Sequence, residues 1–224
     1  MLDETPADTA DIVVTESIFS MDGDEADLAG IVKLKRQKPF TLVLDEAHAT
    51  GVLGAGLASE LGLTRDVDLG VATFSKALGV IGGAVYGSRA AVDAVVNAGR
   101  AYLFSTSMPA GVARAISASI QIARDDVVRR ERLARNVELL RSTLKQEGLS
   151  IANGRSPIVP IVLSDERAAL DASERLRDAG FLVIAVRPPT VPRGTSRLRV
   201  TVSSEHTTEQ IEALAKFVAR ASRP

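Results

Sequence analysis

The chain contains no cysteine, and that absence excludes disulfides, thiolate catalysis and cysteine-ligated metals together. With only two histidines as well, no metal site is expected. A concentrated basic tract is also missing. The formal net charge is -1 over 224 residues, which argues against nucleic acid or an anionic membrane as a main partner. Arginines are frequent between Arg124 and Arg141, but they alternate with Asp125, Asp126, Glu131 and Glu138, the pattern of a solvated helix face. No phosphate loop ending in Gly-Lys-Ser or Gly-Lys-Thr occurs. The opening residues carry Asp3, Glu4, Asp8 and Asp11, the reverse of a secretory leader, so the expected location is cytoplasmic.

What the chain does have is alternation. Four short apolar runs, 11–15, 41–44, 69–73 and 83–86, read as strands. Val13-Val14, Leu42-Val43-Leu44 and Val71-Ala72 are continuous, which predicts a parallel sheet covered on both faces. Leu28, Ile31, Val32 and Leu34 have helical spacing and Pro39 closes that helix. A single long helix is predicted over 111–147, where apolar residues recur at threes and fours up to Gly148. After it come a strand at 158–163, a helix at 166–179, a strand at 182–186, a proline-rich loop at 187–194, a strand at 198–202 and a final helix from Thr208. Thr207 and Gln210 form the pattern of a capping box. The change in character predicts two domains, residues 1–125 and residues 126–224, the second including the connecting helix.

Within the apolar stretch from Leu69 to Gly87 stands one charged residue, Lys76. Burying an ammonium without a partner is costly or forces it to lose its proton. The chemistry that wants a neutral amine in a dry pocket is Schiff-base formation with a carbonyl, above all with pyridoxal 5'-phosphate. A solvated turn lysine with no function is the alternative reading. Functional groups in parallel α/β sheets gather at the carboxyl ends of strands, and here those ends read Glu16 to Asp24, Asp45 to Gly51 and Thr73 to Lys76. Ser20, Asp45, His48, Thr73 and Lys76 are thus expected at one sheet edge. An aspartate at the pyridine nitrogen keeps that ring an electron sink; histidine and serine can hold its ring oxygen, and threonine a phosphate oxygen. Asp45-Glu46 also has the form of a magnesium site in nucleotide hydrolases, and His48 alone could be structural. Ser105, Thr106 and Ser107 precede the long helix, either as N-cap groups or as phosphate ligands. Arg197 and Arg199 share one strand face; one could clamp a carboxylate, or both could lie on a solvent-facing edge strand.

Five motifs in order resemble the α-oxoamine synthases, pyridoxal-phosphate enzymes of the aspartate-aminotransferase fold type: Thr15 to Gly23, Asp45 to Gly54, Thr73 to Gly79, Phe104 to Pro109, and Pro188 to Pro192 followed by Arg199. The resemblance implies an α/β fold of pyridoxal-phosphate transferase type I, with part of a large domain on a mostly parallel sheet and a small C-terminal α+β domain. By it, Lys76 holds the cofactor, Asp45 pairs with the ring nitrogen, Ser20 and His48 contact the ring oxygen, and Thr73 binds the phosphate. Arg199 would bind the amino-acid carboxylate and Thr190 would line the substrate site. Ser105 and Thr106 would reach the phosphate of a neighbouring subunit, implying a homodimer with a shared site. The reaction implied joins L-alanine to a pimeloyl thioester with decarboxylation, as in the biotin-pathway branch; sister branches use glycine or other acyl thioesters. Family members are considerably longer and carry a glycine-containing phosphate loop and a ring-stacking side chain before the region that Ile12 opens. A non-catalytic piece that needs a complementing chain is therefore the competing expectation, as are apolar sheet edges open to pairing.

Overall fold

The computed structural model describes residues 11–222, which form two compact units. Of the described residues, the first comprises 11–19 and Glu25–Val127; the second takes in Ser20–Asp24 and 128–222.

The first unit is built on a four-stranded sheet ordered β1 (Ile12–Glu16), β2 (Thr41–Asp45), β3 (Leu69–Thr73) and β4 (Gly83–Gly87). β1, β2 and β3 are parallel, with Val13 opposite Leu42 and Val43 opposite Leu69, while β4 returns antiparallel to β3. Helix α1 (Leu28–Gln37) starts at Asp27, whose side chain accepts the Gly30 N–H at 2.9 Å. Its Leu28 and Val32 are buried with Leu42, Leu44 and Leu57. Asp68 fastens this layer: it pairs with Lys35 and accepts the Leu42 N–H at 2.6 Å. Burial works to raise the Asp68 pKa, but the Lys35 and Leu42 hydrogen bonds outweigh it, and the carboxyl sits below the ordinary aspartate value.

Coverage on both sheet faces is not what the structure has. Leu42, Leu44 and Ala72 are buried, whereas on the opposite face Ile12 and Val14 are 65% and 69% exposed and Val85 is also exposed. Strand residues alternate in direction, so these residues share one face, open at its two edges, with Val43, Leu69 and Val71 between them half-buried.

The remaining helices of the first unit are α2 (Leu57–Glu60), α3 (Arg89–Ala98), α4 (Arg100–Leu103) and α5 (Ala110–Asp125). The long helix expected over 111–147 is two: α5 stops and α6 (Val127–Gln146) begins after Asp126, whose ψ of 74° leaves the helical region. The α3 helix went unread in the sequence although Val92, Val95 and Val96 have helical spacing; none of its residues is fully buried.

In the second unit β5 (Ile158–Ser164), β6 (Ile184–Val186) and β7 (Ser196–Thr201) form an antiparallel sheet in the order β5-β7-β6. Helices α6, α7 (Glu166–Asp178) and α8 (Thr208–Ala221) surround a core of Leu140, Leu144, Val159, Leu176, Leu198, Ile211 and Val218. Thr207 and Gln210 close the capping box at the start of α8. Arg141 departs from the solvated face expected of it. It is 4% exposed and donates to the carbonyls of Ala152, Ser156 and Ile158, and desolvation pulls its pKa below the usual guanidinium value. Among the described residues no helix is long and apolar enough to cross a membrane.

Candidate active site

Asp45 is the last residue of β2 and is half-buried. Its backbone carbonyl accepts the Ser17 N–H and hydroxyl at 2.8 and 3.1 Å, which ties the ends of β1 and β2 together. The carboxylate Oδ1 accepts the Ala47 N–H at 2.8 Å, the self-capping typical of an aspartate opening a turn. Glu46 goes the other way. It is 1% exposed, and its two oxygens accept the N–H groups of Leu57 and Ala58, each at 2.9 Å, at the start of α2. The Asp45-Glu46 pair is therefore not a shared magnesium site, because one carboxylate is spent on backbone. Among the described residues no cluster of three acidic or histidine side chains could hold a metal. Gly56 makes this arrangement possible: a Cβ there would stand 2.7 Å from the Glu46 carboxyl carbon.

The turn that follows carries half-buried His48 and ends at Gly51, with φ of +82°. A Cβ on Gly51 would lie 3.0 Å from the Ala77 Cβ and 3.5 Å from Leu78. That contact seats the Lys76 loop on the Asp45–His48 turn. The loop is pinned on both sides of the lysine, since Phe74 and Leu78 are buried with Ile116 and the Leu78 carbonyl accepts the Ser119 hydroxyl at 2.6 Å. Lys76 itself is exposed. The dry burial expected from the apolar run belongs to Phe74 and Leu78, not to the residue midway between them. Thr73 ends β3, and its hydroxyl donates to the Gly82 carbonyl at 3.3 Å and meets the Ser75 hydroxyl at 2.9 Å. Nearby charge also acts on Tyr86, whose ring crosses β3 where Gly70 leaves no Cβ. Burial first, then the Glu46 and Asp45 carboxylates, push its phenol up to about 12.

Ser105 and Thr106 are exposed between α4 and α5. The hydroxyl of Ser105 turns back to the Ala101 carbonyl, and the N-cap position of α5 belongs to Pro109, without a side-chain cap. The N-cap reading of these hydroxyls is thereby corrected.

In the second unit the two arginines of β7 separate. This is the central strand, not a solvent-facing edge. Arg197 is buried, pairs with Asp22 and donates to the Thr195 carbonyl at 2.9 Å. Arg199 is half-buried and meets no carboxylate among the described residues; its Nε donates to the Ser20 carbonyl at 2.8 Å and its Nη1 to the Thr201 hydroxyl at 3.3 Å. Desolvation lowers its pKa. Thr190 is exposed, two residues beyond Pro188 in the proline-rich loop. Thus the structure gathers Asp45, His48, Thr73 and Lys76 at neighbouring strand ends of one unit, and Ser20 with Arg199 in the other. Glu46, Gly51 and Gly56 were missed as working parts, and the only sequence signal for them was a pair of glycines bracketing a turn.

Residues 1–218 match the family model described as aminotransferase class I and II. A putative 8-amino-7-oxononanoate synthase of Bacillus cereus (strain Q1) is 42% identical over 88% of this chain and 50% of its own length. The 8-amino-7-oxononanoate synthase of Methylococcus capsulatus is 41% identical over 98% of the chain and 58% of its own length. A serine palmitoyltransferase from S. paucimobilis, solved with a bound PLP-myriocin adduct, superimposes with a TM-score of 0.92 at 33% identity, covering 98% of this chain and 56% of that one. The chain spans about half the length of the curated relatives it matches.

Proposed function

This chain belongs to the aminotransferase class I and II family, and from that premise we propose that it serves a pyridoxal-phosphate-dependent acyltransferase that joins L-alanine to a pimeloyl thioester. Carbon dioxide and the thiol carrier leave, and 8-amino-7-oxononanoate is the product. The observation that carries this reading is the seating of the Lys76 loop against the Asp45–His48 turn through Gly51. It brings the loop that carries an accessible amine against the turn that carries a carboxylate and an imidazole, with a hydroxyl at the end of the strand leading to the lysine, a donor set that suits pyridoxal phosphate. The synthase relatives at about 40% identity support the same reaction.

When bound, that cofactor would supply an electron sink for a carbanion on the amino acid. The residues of this chain do the remainder. Lys76 Nζ would hold the cofactor and, when free of it, could carry the proton at the substrate Cα. Asp45 has one oxygen on the Ala47 N–H and offers the other to hold a proton on the ring nitrogen. His48 and Ser20 would each contact the ring oxygen, and the Thr73 hydroxyl would take a phosphate oxygen. Arg199 binds the amino-acid carboxylate, a task open to it because Arg197 is already paired with Asp22. Thr190 lines the substrate site. Ser105 and Thr106, both exposed, reach the phosphate of a second subunit in a homodimer. The likeness to serine palmitoyltransferase at a TM-score of 0.92 favours, as a second reading, a sister reaction with another amino acid and acyl thioester.

The test starts with pyridoxal phosphate, borohydride reduction and peptide mass analysis. Label is expected on Lys76 and none on the Lys76→Ala chain; label on another lysine would sink the assignment. Carbon dioxide release is then compared for L-alanine, glycine and L-serine with pimeloyl-coenzyme A and palmitoyl-coenzyme A. Label without turnover by any pair identifies a chain that needs a complementing one.

A further inference from the structure

Resting on the reading of Arg199 as the carboxylate-binding residue, we propose that Asp22 and Arg197 form a positioning pair that aims Arg199 and keeps Arg197 from competing with it. Ser20 and Asp22 stand two residues apart on a short segment, and Arg199 and Arg197 stand two residues apart on one face of β7. The two spacings match contact for contact. Asp22 pairs with Arg197, and the Ser20 carbonyl accepts from Arg199 Nε at 2.8 Å. Gly23, between Asp22 and Asp24, is buried with φ of +68° and lies so close to β5 that a Cβ would stand 2.4 Å from the Ile158 carbonyl oxygen. The segment is therefore docked along β5 and β7 with its register set by Gly23 and Asp22.

Two consequences follow for Arg199. Its Nε donates to the Ser20 carbonyl and its Nη1 to the Thr201 hydroxyl, which fixes the guanidinium plane and leaves Nη2 and the second Nη1 hydrogen for a ligand. Arg197, at 4% exposure, would otherwise be a buried cation seeking an anion. With Asp22 supplying that anion, an incoming carboxylate has one arginine to choose. Arg197 and Asp22 thus work through Arg199 without touching substrate.

The test reads Arg199 directly. Its Nε–H resonance in the full chain, assigned by its loss in Arg199→Lys, needs neither cofactor nor substrate. In Asp22→Asn, isosteric at a side chain 55% exposed, we expect Nε–H exchange with solvent to rise about 10-fold or more, the scale of one lost charge-assisted hydrogen bond. Asp22→Glu should restore most of the protection. Unchanged exchange in Asp22→Asn, with the fold intact by circular dichroism, overturns the proposal. Faster exchange that Asp22→Glu leaves unrestored also overturns it, because the effect is then not that of the charge pair. A separate titration compares L-alanine with L-alaninamide: absence of any preference for the carboxylate in the unaltered chain refutes the role of Arg199 in substrate binding, and leaves the exchange result to decide the pairing.

Discussion

Glu46 and Asp45 are chain neighbours with opposite tasks, and the division comes from strand geometry alone. Successive side chains at the end of β2 point to opposite faces, so Asp45 stays at the strand end while Glu46 turns into the layer below and meets α2. Two backbone N–H groups depend on that one buried carboxylate. Glu46→Ala is expected to cost about 2–4 kcal/mol, since both donors lose their acceptor in a buried setting; urea unfolding of the two chains measures it. A loss under about 0.5 kcal/mol would mean that water replaces the carboxylate. None of this was visible in the sequence, where Asp-Glu looks the same whether the pair shares a metal or divides. Lys76 teaches the complementary lesson. The apolar run around it was real, and Phe74 and Leu78 are indeed buried, but composition averages over a loop whose ends are buried while Ser75, Lys76 and Ala77 between them are exposed.

At the scale of elements, the signals with a local mechanism were the legible ones. β3 runs from Leu69 to Thr73 as its apolar residues require, and α8 begins where Thr207 and Gln210 satisfy each other's backbone. Thr207→Ala should lower stability by about 1 kcal/mol, read as a shift in the thermal midpoint; no shift would show that the first turn of α8 is held by packing alone. The break between α5 and α6 was illegible, because apolar residues keep helical spacing across Asp126 while its ψ of 74° does not. Spacing reports which faces are buried, and a single backbone turn leaves it almost unchanged. Direction of pairing was illegible too: β4 is as apolar as its neighbours, yet a short return after Gly82 makes it antiparallel.

For the molecule as a whole, the decisive feature is the open face of the first sheet. Ile12 and Val14 on β1 and Val85 on β4 expose apolar surface at the two edges of the sheet, and β1 is the terminal strand of the described sheet. Such a surface favours self-association. The chain is expected to show a concentration-dependent rise in mean mass by sedimentation, reduced by Ile12→Lys together with Val14→Lys. An unchanged profile in that variant would place the association elsewhere. The sequence predicted strands with two buried faces, and the exposed Ile12, Val14 and Val85 correct that expectation; whether anything covers a face is a property of the neighbours, which no single strand records.

The segment from Ser20 to Asp24 has one more consequence, for the order in which the chain acquires its structure. The partners Asp22 and Arg197 are 175 residues apart in sequence, and bringing such distant points together carries a loop-closure entropy that grows with separation. Helices and neighbouring strand pairs can form long before it is repaid. The second unit thus takes in a segment that lies 175 residues before its β7 partner, and Asp22 finds its place only once β7 has been synthesised.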